Sequence, residues 1–433
     1  MGGKKIAVIG SGGREHALGE SLAKSDEVAQ VIYMPGNAGT ASENKASNYL
    51  KSFIKPESFP DFLKFIQSEG IDLVVVGPED PLNNGIVNYL NSQGYNRAFG
   101  PTKEATQLES DKFYSHDLMK ELGILQAIST KCHSTAEAAE AIKHFHSEGI
   151  VIKARGLTAG KGVTVCDSKK EALEELTKHA DAYGQEVLIA ERLFGEEFSI
   201  FGISDGNRVL PIGISFQDHK PLLDGDKGPN TGGMGAYGPA PIAPLHVVNC
   251  VANKIMNPIV QRMKERGHEY KGFLYAGMMM TKDGPKVIEF NARFGDPECQ
   301  PAMMMLKNGL YAPLSLALEG KLDEIKLEIK GGAACCVVLA SQGYPGDYKK
   351  GLEIKGLAEV ASMQNVKVFH AGTAFAGEDK KIVTAGGRVL GVTAYSADGI
   401  IDAKTTAYAA ASKIAVEGGW AIRSDISDKA TNR

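Results

Sequence analysis

Long apolar runs, paired cysteines and a surplus of basic residues are all missing from this sequence. Crossing a bilayer as a helix takes roughly 20 apolar residues in a row, and the longest runs here, such as "AACCVVLA" at 333–340, stop far short of that. The opening "MGGKKIAVIG" passes straight into a strand pattern with no apolar signal core. Six cysteines, at 132, 166, 250, 299, 335 and 336, include no CxxC pair, and no histidines stand at zinc spacing. These absences predict free thiols in a reducing compartment, a cytoplasmic location and no membrane contact. The net charge of −4 supplies no basic field for nucleic acid, so any phosphate must be bound locally.

What is present is a set of glycine-rich turns that follow short apolar strands. The first, Gly10-Ser11-Gly12-Gly13 after Ile6–Ile9, has the layout of a phosphate-cradling turn. It is not a dinucleotide fingerprint. Glu15 stands where the third glycine belongs, and the second strand, 28–33, runs into "MPGNAG" instead of an acid that would read a ribose. The loop therefore reads as an anion site for another ligand, and a nicotinamide or flavin enzyme is disfavoured.

"KIAVIG", "VAQVIYM", "IDLVVVG" and "RAFG" read as strands and 14–24, 57–69 and 84–93 as helices. This alternation, from Lys5 to about Gly100, predicts an α/β class with a doubly wound parallel sheet. Its ligand belongs at the carboxyl ends of the strands, where "GSGGRE", "PGNAG" and "GPEDP" lie. A compact α/β segment from about 124 to 191 holds helices at 136–148 and 168–182 and the strands "GIVIKA" and "EVLIAERL". Strands "FSIFGI", "RVLPIGI", "LYAGMMMT" and "PKVIEF" follow within about 192–330, then "AACCVVLA", "KVFHAGTAF", "GGRVLGVTA" and a last helix near 397–416. No tandem repeat or low-complexity linker separates these units, so they are expected to pack against one another.

Three segments carry chemistry. "VIKARGLTAGKGV", 151–163, sets Lys153 at a strand end and Lys161 among Gly156, Gly160 and Gly162, which lets backbone amides and ammonium groups approach a phosphate chain. The spacing is not that of a Walker loop, so this is a phosphate cover of another design. In "KVIEFNARFGDPECQ", 286–300, Glu289 and Asn291 share one face of a strand with Arg293 beyond them. A carboxylate and an amide oxygen suit Mg²⁺, Arg293 suits a developing phosphoryl charge, and Asp296 and Glu298 in the following turn suit an amine. The long Gly- and Pro-rich stretch 215–241 reads as a functional loop, with Asp218 and Lys220 as substrate contacts and His219 unassigned.

With these segments in view, "IGSGGREHAL", "PGNAGTA", "VVGPEDPL", "FGPTKEATQLE", "AGKGV", "SFQDHK", "GPNTGGMGAYGPAP", "EFNARFGDPECQ", "GYPGDY" and "GGRVLGVTA" together resemble the phosphoribosylamine-glycine ligase family of the ATP-grasp superfamily, over essentially the whole chain. "RFGDPECQ" with "GPNTGGMGA" is specific to that family, whereas "AGKGV" marks only the superfamily. The resemblance implies four parts: a Rossmann-like substrate domain at 1–102, an ATP-grasp core at 103–123 and 192–330, a lid at 124–191 and a C-terminal mixed α/β domain at 331–433. It implies ATP-dependent ligation of glycine to 5-phosphoribosylamine through a glycyl phosphate, giving glycinamide ribonucleotide, ADP and phosphate in purine biosynthesis, with Mg²⁺ or Mn²⁺. It also implies a monomer that takes small molecules and receives its ribosylamine by transient hand-over from the preceding pathway enzyme.

By the same resemblance, Lys112 and Lys153 are the phosphate lysines, and Gly156, Gly160, Lys161 and Gly162 form the lid loop. Glu191 and Leu193 of "AERL" lie along the adenine, and Glu197 holds the ribose. Glu289 and Asn291 are the metal ligands. Gly12, Gly13 and Arg14 meet the ribosylamine phosphate, with Asn37 and Glu79 nearby. Arg293, Lys153 and Asp296 are the catalytic set, and Asp218, Lys220, Asp296 and Glu298 contact substrate. The chain departs from the family pattern at Arg155, where Asp is expected, at Thr158, at Ala190 and at Ser427, where Gly is expected. Arg155 is expected to add a cation beside the phosphates. Another ATP-grasp ligase or carboxylase would lack the two specific segments, and a catalytically dead nucleotide binder would lack Lys153, Glu289 or Asn291, all of which are present.

Overall fold

The computed structural model describes residues 3–147, 149–158 and 161–431. Gly160 of the expected lid loop and Glu148, the predicted end of a helix, lie outside the described residues. The N-terminal strands Lys4–Gly10, Val28–Pro35, Ala46–Asn48, Leu73–Val76 and Ala98–Phe99 form one parallel sheet, with the strand order 46–48, 28–35, 4–10, 73–76, 98–99. The chain winds one way from strand 4–10 and then crosses to 73–76, so the carboxyl ends of these two neighbours mark the switch point where such sheets hold ligands. The predicted helix at 84–93 forms as Ile86–Ser92, capped by Gly85 with a positive φ of 84°, and a short helix not expected from sequence, Glu79–Asn83, precedes it. Strand Ala46–Asn48 carries no apolar signal and was not foreseen.

The expected lid segment forms a four-stranded antiparallel sheet, with strand order Ser129–Cys132, Val187–Glu191, Ile150–Ala154, Val163–Cys166, covered by helices Thr135–His144 and Lys169–Tyr183. Alternation along Ile150–Ala154 buries Ile150, Ile152 and Ala154, the first two in a common core with Ala138, Leu176 and Ile189. Lys153 therefore points to the opposite face.

An eight-stranded antiparallel sheet runs in the order Gly284–Asn291, Lys271–Thr281, Glu196–Asp205, Val209–Asp218, Gly235–Gly238, Ala333–Ala340, Arg388–Ser396, Val366–His370. The stretch 215–241, read from sequence as a loop, supplies one of these strands and also a hairpin of Pro221–Leu223 with Lys227–Asn230. Helices Lys103–Ser110, Lys112–Glu121 and Asn257–Glu265 cover one face through Leu108, Leu118, Ile259 and Met263. The other face joins the parallel sheet and helix Cys299–Met305 in one core that includes Phe201, Phe216, Phe273 and Phe294. Among the described residues no helix is long and apolar enough to cross a membrane.

Phe294 is the anchor of the turn that carries Arg293, Asp296 and Glu298. It is fully buried, stacks on Phe201 at 4.2 Å between ring centroids and meets Phe273 edge-on at 5.2 Å. Phe294→Ala is expected to lower stability by about 3–5 kcal/mol, read from urea unfolding, and to lower activity with it because the turn above loses its support.

Candidate active site

A cleft lies between the inner face of the four-stranded sheet and the edge strand Gly284–Asn291. Leu108, Met119, Leu157, Val163, Leu188, Ala190 and Val287 supply its apolar lining, and Lys112, Lys153, Glu289, Asn291, Arg293, Glu79 and Glu109 its charged and polar groups. Lys112 opens a helix whose cap, Asp111, accepts from the Phe113 and Tyr114 N–H groups at 2.9 and 3.3 Å. A bulge in strand Gly284–Asn291 leaves Ile288 without a cross-strand partner, and its carbonyl accepts from Lys153 Nζ at 3.1 Å.

Burial lowers the Lys153 ammonium, with Lys112 and Lys220 adding to the effect and Glu289 and Glu197 opposing it. Burial also works against the charge on Glu289, but Lys220, Lys112, Lys153 and Arg293 outweigh it and hold its carboxyl below the usual range. Like charges such as Lys112 and Lys153, half-buried in one cleft, need a counter-ion.

Arg293 extends the cleft toward the N-terminal sheet. Its Nε donates to Glu79 Oε2 at 3.1 Å, and its Nη2 stands 3.3 Å from Glu109 Oε1. Burial opposes the charge on Glu79, yet Arg293 and Arg14 bring its carboxyl down to about 2. Burial pushes Glu109 up to about 7, with Glu79 and Glu289 assisting against Arg293 and the Ala292 N–H.

Beyond Arg293 lies the turn 294–298. Asp296 pairs with Arg388 at 3.0 Å and accepts from Gln300 Nε2 at 2.9 Å. Burial opposes its charge, but Arg388, Arg14 and Arg293 keep it ionised below the usual range. Glu298 is pushed up to about 7 by burial and by Asp218, and accepts from Ser199 Oγ at 3.3 Å. Lys220 pairs with Glu197 at 2.8 Å and is coupled to Asp218 and Glu289, so these strand ends share one field.

The glycine loop abuts this turn. A methyl group on Gly12 would stand 3.6 Å from Asp296 Oδ2, and one on Gly13 would stand 2.6 Å from Gln300 Nε2. Glu15, the residue in place of a third glycine, fills the switch point itself. A methyl on Gly10 or Gly77 would collide with its side chain at 2.4 or 2.2 Å. Its carboxylate accepts from the Gly12 N–H at 2.7 Å and pairs with Arg14 Nε at 2.6 Å. Arg14 also donates to the Phe294 carbonyl at 3.2 Å. The Asn37 amide nitrogen donates to the Ser11 and His370 carbonyls at 2.9 and 2.8 Å, so this side chain braces the loop.

Other expected residues fall elsewhere. Lys161 lines a separate cavity with Tyr183, Leu222 and Trp420. Gly162 donates from its N–H to Thr158 Oγ1 at 2.9 Å, so the unexpected Thr158 closes the lid turn. Glu191 accepts from the Ile128 N–H at 3.0 Å beside Ala190, which lines the cleft. Leu193 lies in the connection after strand Val187–Glu191. The guanidinium of Arg155 does not join the phosphate cations. It pairs with Asp111 at 2.6 Å and Glu186 at 3.0 Å over the Phe113 ring, pinning the lid to the cap of the Lys112 helix. His219 is buried and accepts from the Ser427 N–H at 3.1 Å. Ser427 takes the left-handed conformation, with φ of 72°, that glycine would adopt freely.

Glu109, Arg388 and Ser199 were not found from sequence. Glu109 sat inside a quoted segment, but no spacing links a helix residue at 109 to a strand residue at 293.

Lowering the Glu79 carboxyl from 4.5 to about 2 makes its pairing a source of stability above pH about 4.5 that disappears as pH falls toward 2. The stability difference between wild type and Glu79→Gln is therefore expected to shrink across that window in urea titrations at stepped pH.

Comparison with known proteins places this geometry. The N, ATP-grasp (A) and C domain models of phosphoribosylglycinamide synthetase match residues 4–109, 110–299 and 334–429. A phosphoribosylamine–glycine ligase of Rhodopirellula baltica is 45% identical over 98% of this chain and 97% of its own length. The crystal structure of a phosphoribosylamine–glycine ligase from Thermotoga maritima superposes with a TM-score of 0.82 at 32% identity, over 98% of this chain and 100% of that one. The biotin carboxylase domain of Hydrogenobacter thermophilus 2-oxoglutarate carboxylase, solved with MgADP and bicarbonate, shares the fold at a TM-score of 0.72 and 15% identity, over 96% of this chain and 91% of that one.

Proposed function

The chain belongs to the phosphoribosylglycinamide synthetase family, and from that premise we propose how its residues divide the work of joining glycine to 5-phosphoribosylamine. The reaction uses ATP and yields glycinamide ribonucleotide, ADP and phosphate in purine biosynthesis. The observation that carries the assignment of roles is the convergence of Lys112 and Lys153 on Glu289 in a cleft that continues through Arg293 to Asp296 and the Gly12 loop.

The base of ATP occupies the apolar part of the cleft, between Leu188 and Ala190 on the lid and Met119 and Val287 on the core. The backbone near Glu191 and Leu193 reads its edge, and Glu197 meets the ribose. Lys112 and Lys153 take the phosphates under the loop from Gly156 to Gly162. Glu289 and Asn291 offer hard oxygen donors for Mg²⁺ or Mn²⁺. An ion of this kind draws its other ligands from phosphates and water. Bound there, the ion would neutralise charge on the phosphate chain.

Asp218 and Glu298 hold the glycine ammonium, and Lys220 steers its carboxylate. A carboxylate oxygen attacks the terminal phosphorus and ADP departs, while Arg293 and Lys153 oppose the charge on the phosphoryl group in transit. The ribosylamine, its phosphate held by Gly12, Gly13 and Arg14, then attacks the acyl carbon. The acyl C–O bond breaks, phosphate leaves, and the amine proton passes to Asp296. Asp296 is a weak base because Arg388, Arg14 and Arg293 stabilise its charge, but an amine that has just attacked is acidic enough to yield its proton to it. The free cysteines fit a reducing compartment such as the cytoplasm; a monomer supplied by hand-over from the preceding pathway enzyme is part of the same proposal.

ADP release from purified protein with ATP and Mg²⁺ is expected only when glycine and phosphoribosylamine are both present, with glycinamide ribonucleotide appearing in step. Release with neither, or with bicarbonate alone, would overturn the substrate assignment. Glu289→Ala is expected to lower kcat at least about a hundredfold, since metal-type charge stabilisation supplies several kcal/mol, while the variant still unfolds in one cooperative transition. A near-normal rate in that variant would remove Glu289 from the metal site.

A further inference from the structure

Glu109 touches both residues on which the metal end of the cleft depends. It sits near the end of helix Lys103–Ser110 and is only 8% exposed. Oε2 accepts from the Ala292 N–H at 2.6 Å, which fixes the carboxylate against the end of strand Gly284–Asn291. Oε1 faces Arg293 Nη2 at 3.3 Å. The same Oε1 and the Phe290 carbonyl are the acceptors beside the Asn291 amide. Its nitrogen therefore belongs on that side, donating to Glu109 at 3.1 Å and to Phe290 at 3.0 Å. The amide oxygen is then turned the other way, in a residue that lines the cleft.

An amide presents a metal ligand only when its oxygen faces the ion. With the opposite orientation Asn291 would offer an NH₂ group, which has no lone pair for a hard cation and repels it. Phe290 alone supplies one acceptor to a group with two N–H bonds. The second acceptor has to come from another element, and Glu109 is that element's contribution.

We propose that Glu109 is a positioning residue that sets the Asn291 amide with its oxygen toward the metal and holds Arg293 in line with it. The inference rests on the reading of Glu289 and Asn291 as metal ligands. Partners of this kind behind metal ligands typically change affinity 10- to 100-fold when lost. Glu79 provides the internal comparison, because it pairs with Arg293 and has no contact with Asn291 among the hydrogen bonds and ion pairs described.

The test is Mn²⁺ binding to the whole protein with a non-hydrolysable ATP analogue, followed by electron paramagnetic resonance of the free ion, so that turnover plays no part. Glu109→Gln keeps an oxygen for Ala292 and offers an NH₂ to Asn291. It is expected to weaken Mn²⁺ binding about 10- to 100-fold, whereas Glu79→Gln leaves it within twofold. In an Asn291→Asp background there is no amide to orient, so adding Glu109→Gln is expected to cause no further loss. An equal loss in both backgrounds would mean that Glu109 merely supports the fold, and affinity within twofold of wild type for Glu109→Gln alone would overturn the proposal outright. If Glu109→Gln fails to fold, Glu109→Asp retains the charge and draws the oxygens back from Asn291, and a loss of the same sign is expected; unchanged affinity there counts against the proposal. Glu289→Ala separates the two readings. Retained Mn²⁺ affinity in that variant sinks the metal assignment itself, while loss there with normal binding by Glu109→Gln sinks only the role of Glu109.

Discussion

The ion triad of Arg293 with Glu79 and Glu109 is the joint on which the rest of the site depends. Its three members come from the first residue of helix Glu79–Asn83 at the carboxyl end of the parallel sheet, from helix Lys103–Ser110, and from the turn that follows the edge strand Gly284–Asn291 of the large antiparallel sheet. Breaking a buried pair leaves an uncompensated charge and costs several kcal/mol, so the three segments have to keep a common register. One guanidinium thus ties Glu79, at the carboxyl end of the parallel sheet, to the turn that follows the strand carrying Glu289 and Asn291.

Around this joint the molecule stores charge in a form that suits a polyanion. Lys112 and Lys153 approach one another across the cleft with Glu289 as their shared counter-charge. In the proposed function a triphosphate with its metal would complete that set. The lid is fastened at its base. Arg155 clamps Asp111 and Glu186 where the lid sheet meets the Lys112 helix, and Thr158 closes the turn that leads to Lys161. Both residues depart from the family pattern: Arg155 joins the lid to the cap of the Lys112 helix, and Thr158 hydrogen-bonds within the lid while lining the cleft.

Much of this was legible in the chain. Strand periodicity placed the parallel sheet, Lys153 at the end of its strand and Glu289 with Asn291 near Arg293, because side-chain alternation is a local property of two-residue repeats. The failed third glycine at Glu15 was also legible, and the structure supplies its cause. Glu15 occupies the switch point, and Gly10 and Gly77 are glycine because its side chain lies against them. Strands hidden in the polar stretch 215–241 were not legible. One of them, Gly235–Gly238, pairs with Val209–Asp218 and with the distant Ala333–Ala340, with no apolar alternation to announce it.

What the sequence determined by itself is the set of local devices: glycine turns after apolar strands, a lysine at a strand end, a carboxylate and an amide two residues apart, and a family resemblance carried by contiguous segments. What only the tertiary structure decided is how those devices face one another. Arg155 lies among acids and away from the phosphate site because Asp111 and Glu186 meet it there. Asp296 stays ionised because Arg388 arrives from 92 positions further along the chain. Asn291 turns its oxygen to the cleft because Glu109, on a helix far back in the chain, takes its nitrogen. Each of these is a long-range contact between charged or polar groups, and such contacts leave no periodic trace in the residues that make them.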